Sequence, residues 1–233
     1  MIVPSDILVC FALPEEARPF RRRVRGRGGV KVLVTGMGRV NAAAAVSPAI
    51  EERRPALVLA CGFAGGLDPA LRHGTVVFDP GEPSDLSAAR PQPRPTEFRL
   101  VLERLEAAGA RRGRFECASR IAVTASEKHA LRTATGADAV EMESAAIHGV
   151  CRTAGIPSVT VRVISDEANE DLPLDFNALM TTDQRLDLKR LLWRVMCSPG
   201  LAGGLLRLQR RSRAAAERLA EVLADTLSMN LAR

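Results

Sequence analysis

Short, almost entirely apolar runs alternate along the chain with segments of helical character, and this alternation limits the fold more than any other feature. It predicts strands at residues 6–11, 30–35, 56–60, 75–78, 119–124, 137–140 and 158–164. Strands that are apolar throughout are covered by helices on both faces of the sheet. Alternation with helices is typical of a parallel sheet. The sequence therefore predicts an α/β fold with a mostly parallel central sheet.

Helices are predicted in the segments between these strands. One opens at Pro14, where a proline in the first turn is followed by two acidic residues, Glu15 and Glu16. Others are predicted at residues 40–52 and 97–108. A further helix is expected to begin directly at Glu141-Met142-Glu143 and to end near residue 155. The apolar run at 56–60 is expected to break at Cys61, where a glycine-rich stretch begins.

The length and composition suit one domain. The chain has 233 residues, of which 46% are hydrophobic and 26% charged, so it can bury a sizeable core. We expect residues 1–233 to form a single domain that ends in a basic helical segment at about 185–230. There, small or apolar side chains recur at a three–four spacing, at positions 205, 208, 212, 215, 219, 222 and 226.

Arginines occupy the other faces of this C-terminal segment, at positions 207, 210, 211, 213 and 218. They are typical of the solvated face of a helix packed on a sheet. The alternative is a helix that contacts a membrane surface or another anionic partner. The net charge of +6 also raises the question of nucleic acid, but aromatic residues make up only 3% of the chain and Tyr is absent. Without a stacking platform or a binding motif, we expect no nucleic-acid partner.

The cysteines indicate a reducing compartment. There are five, an odd number, and no two of them form a C-x-x-C pair. No secretory signal is recognisable, and no apolar run reaches the roughly 20 residues of a transmembrane helix. We therefore expect reduced thiols and a cytoplasmic protein.

Acidic and glycine-rich stretches follow the predicted strands. They are Glu15-Glu16, Gly36-Met37-Gly38, residues 62–66, Glu141-Met142-Glu143 and Ser165-Asp166. Ligands in open α/β sheets bind at the carboxyl ends of the strands, so we expect these stretches to converge on one site. For Glu15, Glu16 and Glu141 the alternative is a simple helix-N-terminal charge.

Motifs for several other chemistries are absent. Gly36-x-Gly38 is followed by Asn41 where a dinucleotide-binding fingerprint has its third glycine, and there is no P-loop or G-x-S-x-G sequence. The three histidines lack metal-ligand spacing, so we expect no metal and no organic cofactor. Cys61 is interpreted as a buried, inert thiol. Carboxylates and backbone amides remain, and they suit cleavage of a glycosidic bond through an oxocarbenium-like transition state.

Two long segments resemble a known family. Residues 56–77, ALVLACGFAGGLDPALRHGTVV, and 139–169, AVEMESAAIHGVCRTAGIPSVTVRVISDEAN, resemble the purine nucleoside phosphorylase/uridine phosphorylase superfamily. The branch they resemble contains the methylthioadenosine/S-adenosylhomocysteine nucleosidases. The N-terminal FALPEEARPF and VTGMGRVNAAAAV fit the same pattern, so the resemblance covers roughly residues 6–170. TASEKHAL followed by TGADAVEMES looks closest to the hopanoid-associated phosphorylases.

The resemblance implies a three-layer α/β/α fold with a mixed sheet, usually in a homo-oligomer. It also implies roles for individual residues. Glu143 would hold the ribose 2′ and 3′ hydroxyls, with Met142 packing on the sugar. Asp166 would donate a proton toward N7 of a purine, and Glu16 would orient the attacking water. The substrate-binding set also includes Glu141, Gly62, Phe63, Ala64, Gly65 and Ser165.

The chain departs from the nucleosidase pattern at two places. Phe63 stands where those enzymes commonly have Ser, and Lys128 and His129 fall where an aromatic usually stacks on the purine. Arg39, directly after Gly38, could contact phosphate, which would favour phosphorolysis with inorganic phosphate as co-substrate. A surface arginine is the alternative there.

The resemblance implies an enzyme that cleaves an adenosine-type nucleoside and releases adenine, by phosphorolysis or hydrolysis. The hopanoid-associated group would act on an adenosine joined to a lipid, and the basic C-terminal helix would then suit peripheral contact with a membrane. The first alternative is a nucleosidase for methylthioadenosine and S-adenosylhomocysteine. An alternative of another class is a non-catalytic nucleoside-binding protein.

Overall fold

The computed structural model describes residues 6–81, 96–181 and 200–227. Its strands are β1 (Ile7–Phe11), β2 (Val30–Val34), β3 (Leu57–Gly66), β4 (Val76–Asp79), β5 (Arg111–Arg112), β6 (Phe115–Cys117), β7 (Ala139–Glu141) and β8 (Ser158–Asp166). Its α-helices are α1 (Pro14–Arg23), α2 (Gly38–Glu52), α3 (Thr96–Ala107), α4 (Ala125–Thr135), α5 (Ser144–Thr153) and α6 (Gly200–Leu227). A 3₁₀ turn spans Asn177–Leu179.

The strands form one eight-stranded sheet in the order β2-β1-β3-β8-β4-β5, and β7 extends it by pairing with both β3 and β6. Strand β1 is parallel to β2 and β3, and β3 is parallel to β8. The pairs β4–β5 and β6–β7 are also parallel, whereas β4–β8 and β3–β7 are antiparallel. The predicted mixed, mostly parallel sheet is therefore confirmed.

Helices cover both faces of the sheet. Along β3, Leu57 and Leu59 belong to a core cluster shared with α1, α3 and α6. The alternate residues Val58 and Ala60 belong to a second cluster, shared with α2 and α5. Successive side chains of a strand point to opposite faces, so two apolar layers sandwich the strand. This is the three-layer α/β/α architecture, and it explains why β1 and the first half of β3 are apolar throughout.

The strand predicted at residues 119–124 is wrong; the strand in this region is β6, just before it. Side chains satisfy the backbone of the predicted segment instead. The N–H and C=O of Ile121 both bind the side-chain amide of Asn177. Thr124 is the N-cap of α4, and the carboxylate of Glu127 accepts the N–H groups of Val123 and Thr124. A capping box of this kind is the start of a helix, despite the apolar residues before it.

Two boundaries also differ from the sequence prediction. Strand β3 does not break at Cys61 but continues to Gly66, because β8 and β7 pair with its glycine-rich end. The helix expected to begin at Glu141 begins at Ser144, since Glu141 is the last residue of β7. In both cases pairing with a distant strand overrides the local signal.

The basic C-terminal segment is described from Gly200 to Leu227, so the rest of the predicted range 185–230 lies outside the described residues. In its second half Ala215, Leu219, Val222 and Thr226 are buried, as the spacing predicts. Arginines 207, 210, 213 and 218 are exposed. None of the helices in the described ranges combines the length and the apolar character that a membrane-spanning helix needs.

Candidate active site

A buried arginine, Arg162, lies at the centre of the acidic residues that the sequence places at the strand ends. It is in the middle of β8 and is only 1% exposed. Its Nη2 contacts the carboxylates of Glu141 and, at 3.1 Å, of Glu143. Burial acts to lower the pKa of Arg162, but the carboxylates of Glu141, Glu143 and Glu16 outweigh it and raise that pKa. Arg162 is therefore a permanent cation beneath the site.

Arg162 is not among the site residues predicted from the sequence. The signal was present, because an arginine inside the apolar run SVTVRVI must find buried carboxylates or leave an uncompensated charge. Which carboxylates it finds depends on sheet pairing. Gly62 of β3 lies directly opposite Arg162 on β8.

Glu16 reaches this cluster from the first turn of α1. It is 3% exposed, and its two carboxylate oxygens accept the N–H groups of Leu13 and Phe63, at 2.9 and 2.8 Å. Burial raises the pKa of Glu16 to about 7, although Arg162 acts in the opposite direction. A carboxyl group that titrates near neutral pH can accept a proton from water and release it again.

Glu143 is held from the other side. Its Oε1 accepts the backbone N–H of Gly38 at 2.8 Å, and its Oε2 contacts Arg162. Burial raises the pKa of Glu143, whereas Arg162 acts to lower it. Met142, its neighbour, is 9% exposed. The predicted Gly36-Met37-Gly38 turn therefore contributes a backbone donor to the acidic cluster.

Glu141 has a different environment from Glu143. It accepts the Ser144 hydroxyl at 2.6 Å and the N–H groups of Glu143 and Ser144 at 2.9 and 2.8 Å. Burial acts to raise the pKa of Glu141, but Arg162 and the Ser144 hydroxyl outweigh it and hold that pKa below its ordinary value. Glu141 therefore secures both Arg162 and the N-terminus of α5.

Asp166 is the last residue of β8, four positions after Arg162 on the same strand. Its Oδ1 accepts the hydroxyl of Ser165 at 2.7 Å, and its Oδ2 lies 2.5 Å from the Nζ of Lys128. A Cβ on Gly65 would lie 3.2 Å from Oδ2, so this glycine allows the close approach of β3. Ala64 is buried, and its carbonyl accepts the Ser165 hydroxyl at 3.3 Å.

The remaining predicted residues lie at the edge of this arrangement. Arg39 is exposed, and its guanidinium contacts the carbonyl of Cys117 beside a cavity of 590 Å³. Phe63 contributes its backbone to the cluster, whereas its ring packs against the core beneath α1 and α6. Among the described residues, no group of His, Cys, Asp and Glu side chains is arranged to hold a metal ion.

Comparisons with known proteins agree with this fold. The model of the Phosphorylase superfamily matches residues 11–196. A 5′-methylthioadenosine/S-adenosylhomocysteine nucleosidase from Shewanella loihica is 30% identical over 173 residues, which are 65% of this chain and 75% of the relative.

Solved structures of the same fold include the Neisseria meningitidis 5′-methylthioadenosine/S-adenosylhomocysteine nucleosidase in complex with methylthio-immucillin-A. Its TM-score is 0.67 at 21% identity, and the match covers 97% of this chain and 100% of that one. A futalosine hydrolase mutant of Helicobacter pylori has a TM-score of 0.65 at 19% identity, over 96% and 99% of the two chains.

The chain belongs to the Phosphorylase superfamily. Within it, the chain lies in the branch that resembles the methylthioadenosine/S-adenosylhomocysteine nucleosidases, and it is an enzyme of N-glycosidic bond cleavage.

Proposed function

We propose that this enzyme cleaves the N-glycosidic bond of an adenosine-type nucleoside and releases adenine. One observation carries the proposal: Arg162 collects carboxylates in a buried cluster, and Asp166 ends the same strand. An oxocarbenium-like transition state needs negative charge near the sugar and a proton for the departing base. The carboxylate cluster supplies the negative charge, and Asp166 supplies the proton.

Glu143 binds the ribose 2′ and 3′ hydroxyls in this proposal. One of its oxygens is held by the Gly38 amide and the other by Arg162, so the carboxylate has a fixed orientation. Hydroxyl donors add to the remaining lone pairs of those oxygens. Met142, next in the chain, packs on the sugar. Ala64 and Gly65 leave room for the substrate to approach the backbone.

Glu16 orients the nucleophile and takes up its proton. Its pKa of about 7 makes it a suitable base at neutral pH. On the other side of the substrate, Asp166 transfers a proton to purine N7, with Ser165 holding its Oδ1 at 2.7 Å. The base then leaves as a neutral molecule and takes the electron pair of the C1′–N9 bond with it. We expect no organic cofactor and no metal.

The proposal also specifies the 5′ substituent of the nucleoside and the nucleophile. We favour an adenosine joined to a lipid, as the resemblance to the hopanoid-associated phosphorylases implies, with inorganic phosphate as a co-substrate if Arg39 binds it. In support, α6 exposes Leu206, at 56%, on the same stretch of helix as Arg207 and Arg210. An apolar side chain among arginines suits peripheral contact of a cytoplasmic enzyme with an anionic membrane.

Hydrolysis of methylthioadenosine and S-adenosylhomocysteine is the second candidate function. The Shewanella loihica relative, which bears that name, favours it. One experiment separates the candidates. The purified enzyme is incubated with adenosine, methylthioadenosine, S-adenosylhomocysteine and a lipid-linked adenosine, with and without phosphate, and the products are identified.

Each candidate has its own product in that panel. Ribose 1-phosphate products identify phosphorolysis, and free sugar in phosphate-free buffer identifies hydrolysis. Preference for the lipid-linked substrate supports the first candidate, and preference for methylthioadenosine supports the second. Binding of a nucleoside without any release of adenine would refute both and would leave a non-catalytic binding protein.

We also propose a homo-oligomer. Val40, at the start of α2, is 77% exposed and directly follows Arg39 at the cavity beside Cys117. A second copy of the chain would cover this apolar side chain next to the site. Sedimentation velocity that gives the mass of one chain across the micromolar range would refute this assembly.

A further inference from the structure

Lys128 of α4 is completely buried beside Asp166, and each N–H of its ammonium group has an acceptor. Its ammonium lies 2.5 Å from Asp166 Oδ2 and donates to the carbonyls of Glu167 and Glu170 at 2.9 and 2.8 Å. A lysine has three N–H donors, so these three acceptors saturate it. A lysine is buried at this depth only when it is paired, and here Asp166 supplies the carboxylate.

The other charged groups around Lys128 already have partners. Glu170 forms a bidentate ion pair with Arg211 of α6, and the carboxylate of Glu167 lies 2.8 Å from the guanidinium of Arg72. Glu127, beside Lys128 on α4, binds Arg120. The carboxylate that Lys128 contacts as an ion pair is therefore Asp166.

This arrangement raises a question about the proton for the leaving base. As a carboxylate paired with an ammonium, Asp166 holds no proton of its own to give to N7. The proton nearest to its Oδ2 is on the Nζ of Lys128. The structure therefore contains a donor directly behind the group that touches the substrate.

We propose that Lys128 is the source of the proton that reaches the purine through Asp166; this inference rests on the proposed function. As the C1′–N9 bond breaks, its electron pair moves into the purine and N7 becomes strongly basic. Asp166 Oδ2 takes the proton from Lys128, which becomes a neutral amine, and passes that same proton to N7, so that Asp166 is a carboxylate again. Meanwhile the nucleophile's proton goes to Glu16. After the base departs, Lys128 regains a proton from solvent and Glu16 loses one.

The composition of the chain provides an independent argument. The chain has 33 lysines and arginines together, and the lysines among them are only Lys31, Lys128 and Lys189. Arginine makes stronger buried ion pairs, but it cannot be deprotonated in proteins. If Asp166 needed only a structural ion-pair partner, arginine, the predominant basic residue of this chain, could have filled that position. A residue that has to release a proton could not be arginine.

The test compares Lys128→Arg and Lys128→Met with wild type on the nucleoside that the wild-type enzyme cleaves fastest. Arginine keeps the positive charge but cannot release a proton. We expect both variants to lose kcat by at least about 100-fold, the ordinary contribution of general acid catalysis, with KM changed by less than about threefold. Lys31→Met, at an exposed lysine on β2, is the matched control and is expected to keep wild-type kcat.

A second substrate removes the need for a proton. The leaving group of 4-nitrophenyl riboside departs as a stable anion, so Lys128→Met is expected to retain its activity on this substrate relative to wild type. Circular dichroism melting establishes that the variants are folded. If they do not fold, Lys128→Gln, which is uncharged and shorter, takes their place, with the same expected loss of kcat on the nucleoside and the same expected activity on 4-nitrophenyl riboside.

The outcomes separate the two proposals. If Lys128→Arg retains kcat within about threefold of wild type, or if Lys128→Met or Lys128→Gln loses as much activity on 4-nitrophenyl riboside as on the nucleoside, Lys128 only positions Asp166 and the inference is overturned. If wild-type enzyme releases adenine from no nucleoside in the panel, the proposed function itself fails, and the inference fails with it.

Discussion

Gly62 and Arg162 face each other across the pairing of β3 and β8, and the guanidinium occupies the space that a side chain on Gly62 would need. A Cβ on Gly62 would lie 2.7 Å from Arg162 Nη1 and 2.8 Å from Glu16 Oε1. Gly62 also has φ of +149°, a conformation that L side chains rarely adopt. This one glycine therefore permits the charged cluster.

Gly62→Ala is expected to reduce kcat/KM by about 100-fold or more and to destabilise the fold by about 1–3 kcal/mol, because both the backbone and the two charged groups must shift. Adenine release and urea denaturation measure the two effects. Gly28→Ala is the control, because a Cβ there meets nothing within 4 Å. Wild-type activity in Gly62→Ala would contradict the close contact.

Arg162→Met is expected to be strongly destabilising, by about 3–5 kcal/mol, because it leaves buried carboxylates without their cation. The loss of stability should be smaller at pH 5 than at pH 8, since protonation neutralises the carboxylates that Arg162 otherwise compensates. Chemical denaturation at both pH values measures it. An exposed arginine, Arg53, gives the control variant Arg53→Met, which loses a surface ion pair with Asp6 and should cost under about 1 kcal/mol.

Glu16 should make stability fall as the pH rises. Its pKa is about 7 in the folded protein and 4.5 for an exposed glutamate side chain, so the folded state binds more protons between these pH values. The stability that the protonated form provides is complete below pH 4.5 and is lost as the pH rises through 7, a change on the order of 3 kcal/mol.

Glu16→Gln removes this titration. From pH 5 to pH 8 the variant should therefore gain stability relative to wild type, seen as a rise in its free energy of unfolding relative to wild type, while adenine release falls by about 100-fold. Denaturation across this range, with Glu15→Gln as an exposed control beside it, measures the difference. A constant difference between variant and wild type would contradict the raised pKa.

Asp166→Asn is expected to lower kcat by about 10²–10⁴-fold with a modest change in binding of a nucleoside that is not cleaved, because the amide cannot transfer a proton. Isothermal titration and product analysis measure the two quantities. Asp6→Asn, at a surface ion pair, is the matched control. Adenine release at the wild-type rate would refute the assigned role of Asp166.

The exposed arginines of α6 are expected to increase binding to vesicles that contain anionic lipid. Replacing Arg207, Arg210 and Arg213 with Gln should reduce sedimentation with such vesicles at low salt by about tenfold. A control with the same net charge replaces exposed arginines elsewhere, at positions 25, 27 and 99. An equal loss of vesicle binding in both variants, or no vesicle binding by wild type, would refute the proposed membrane contact without affecting the catalytic proposal.

Much of the architecture was accessible from local patterns. Apolar runs predicted β1, β2 and β8 to within two residues at each end, because strands covered on both faces are mostly apolar. Pro14 and its acidic neighbours located the start of α1. Residues 119–124 were wrongly predicted as a strand, since the Asn177 amide and the Glu127 carboxylate satisfy that backbone.

Sequence alone determined which residue types follow which strands, and therefore that acids and glycines gather at one edge of an α/β sheet. Only the tertiary structure decided which charges meet. Arg162 finds Glu141 and Glu143, and Lys128 finds Asp166, through the pairing of strands and the docking of α4. The reason is physical: a buried charge must be compensated by whichever opposite charge the packing brings within contact, and separation along the chain carries no information about that distance.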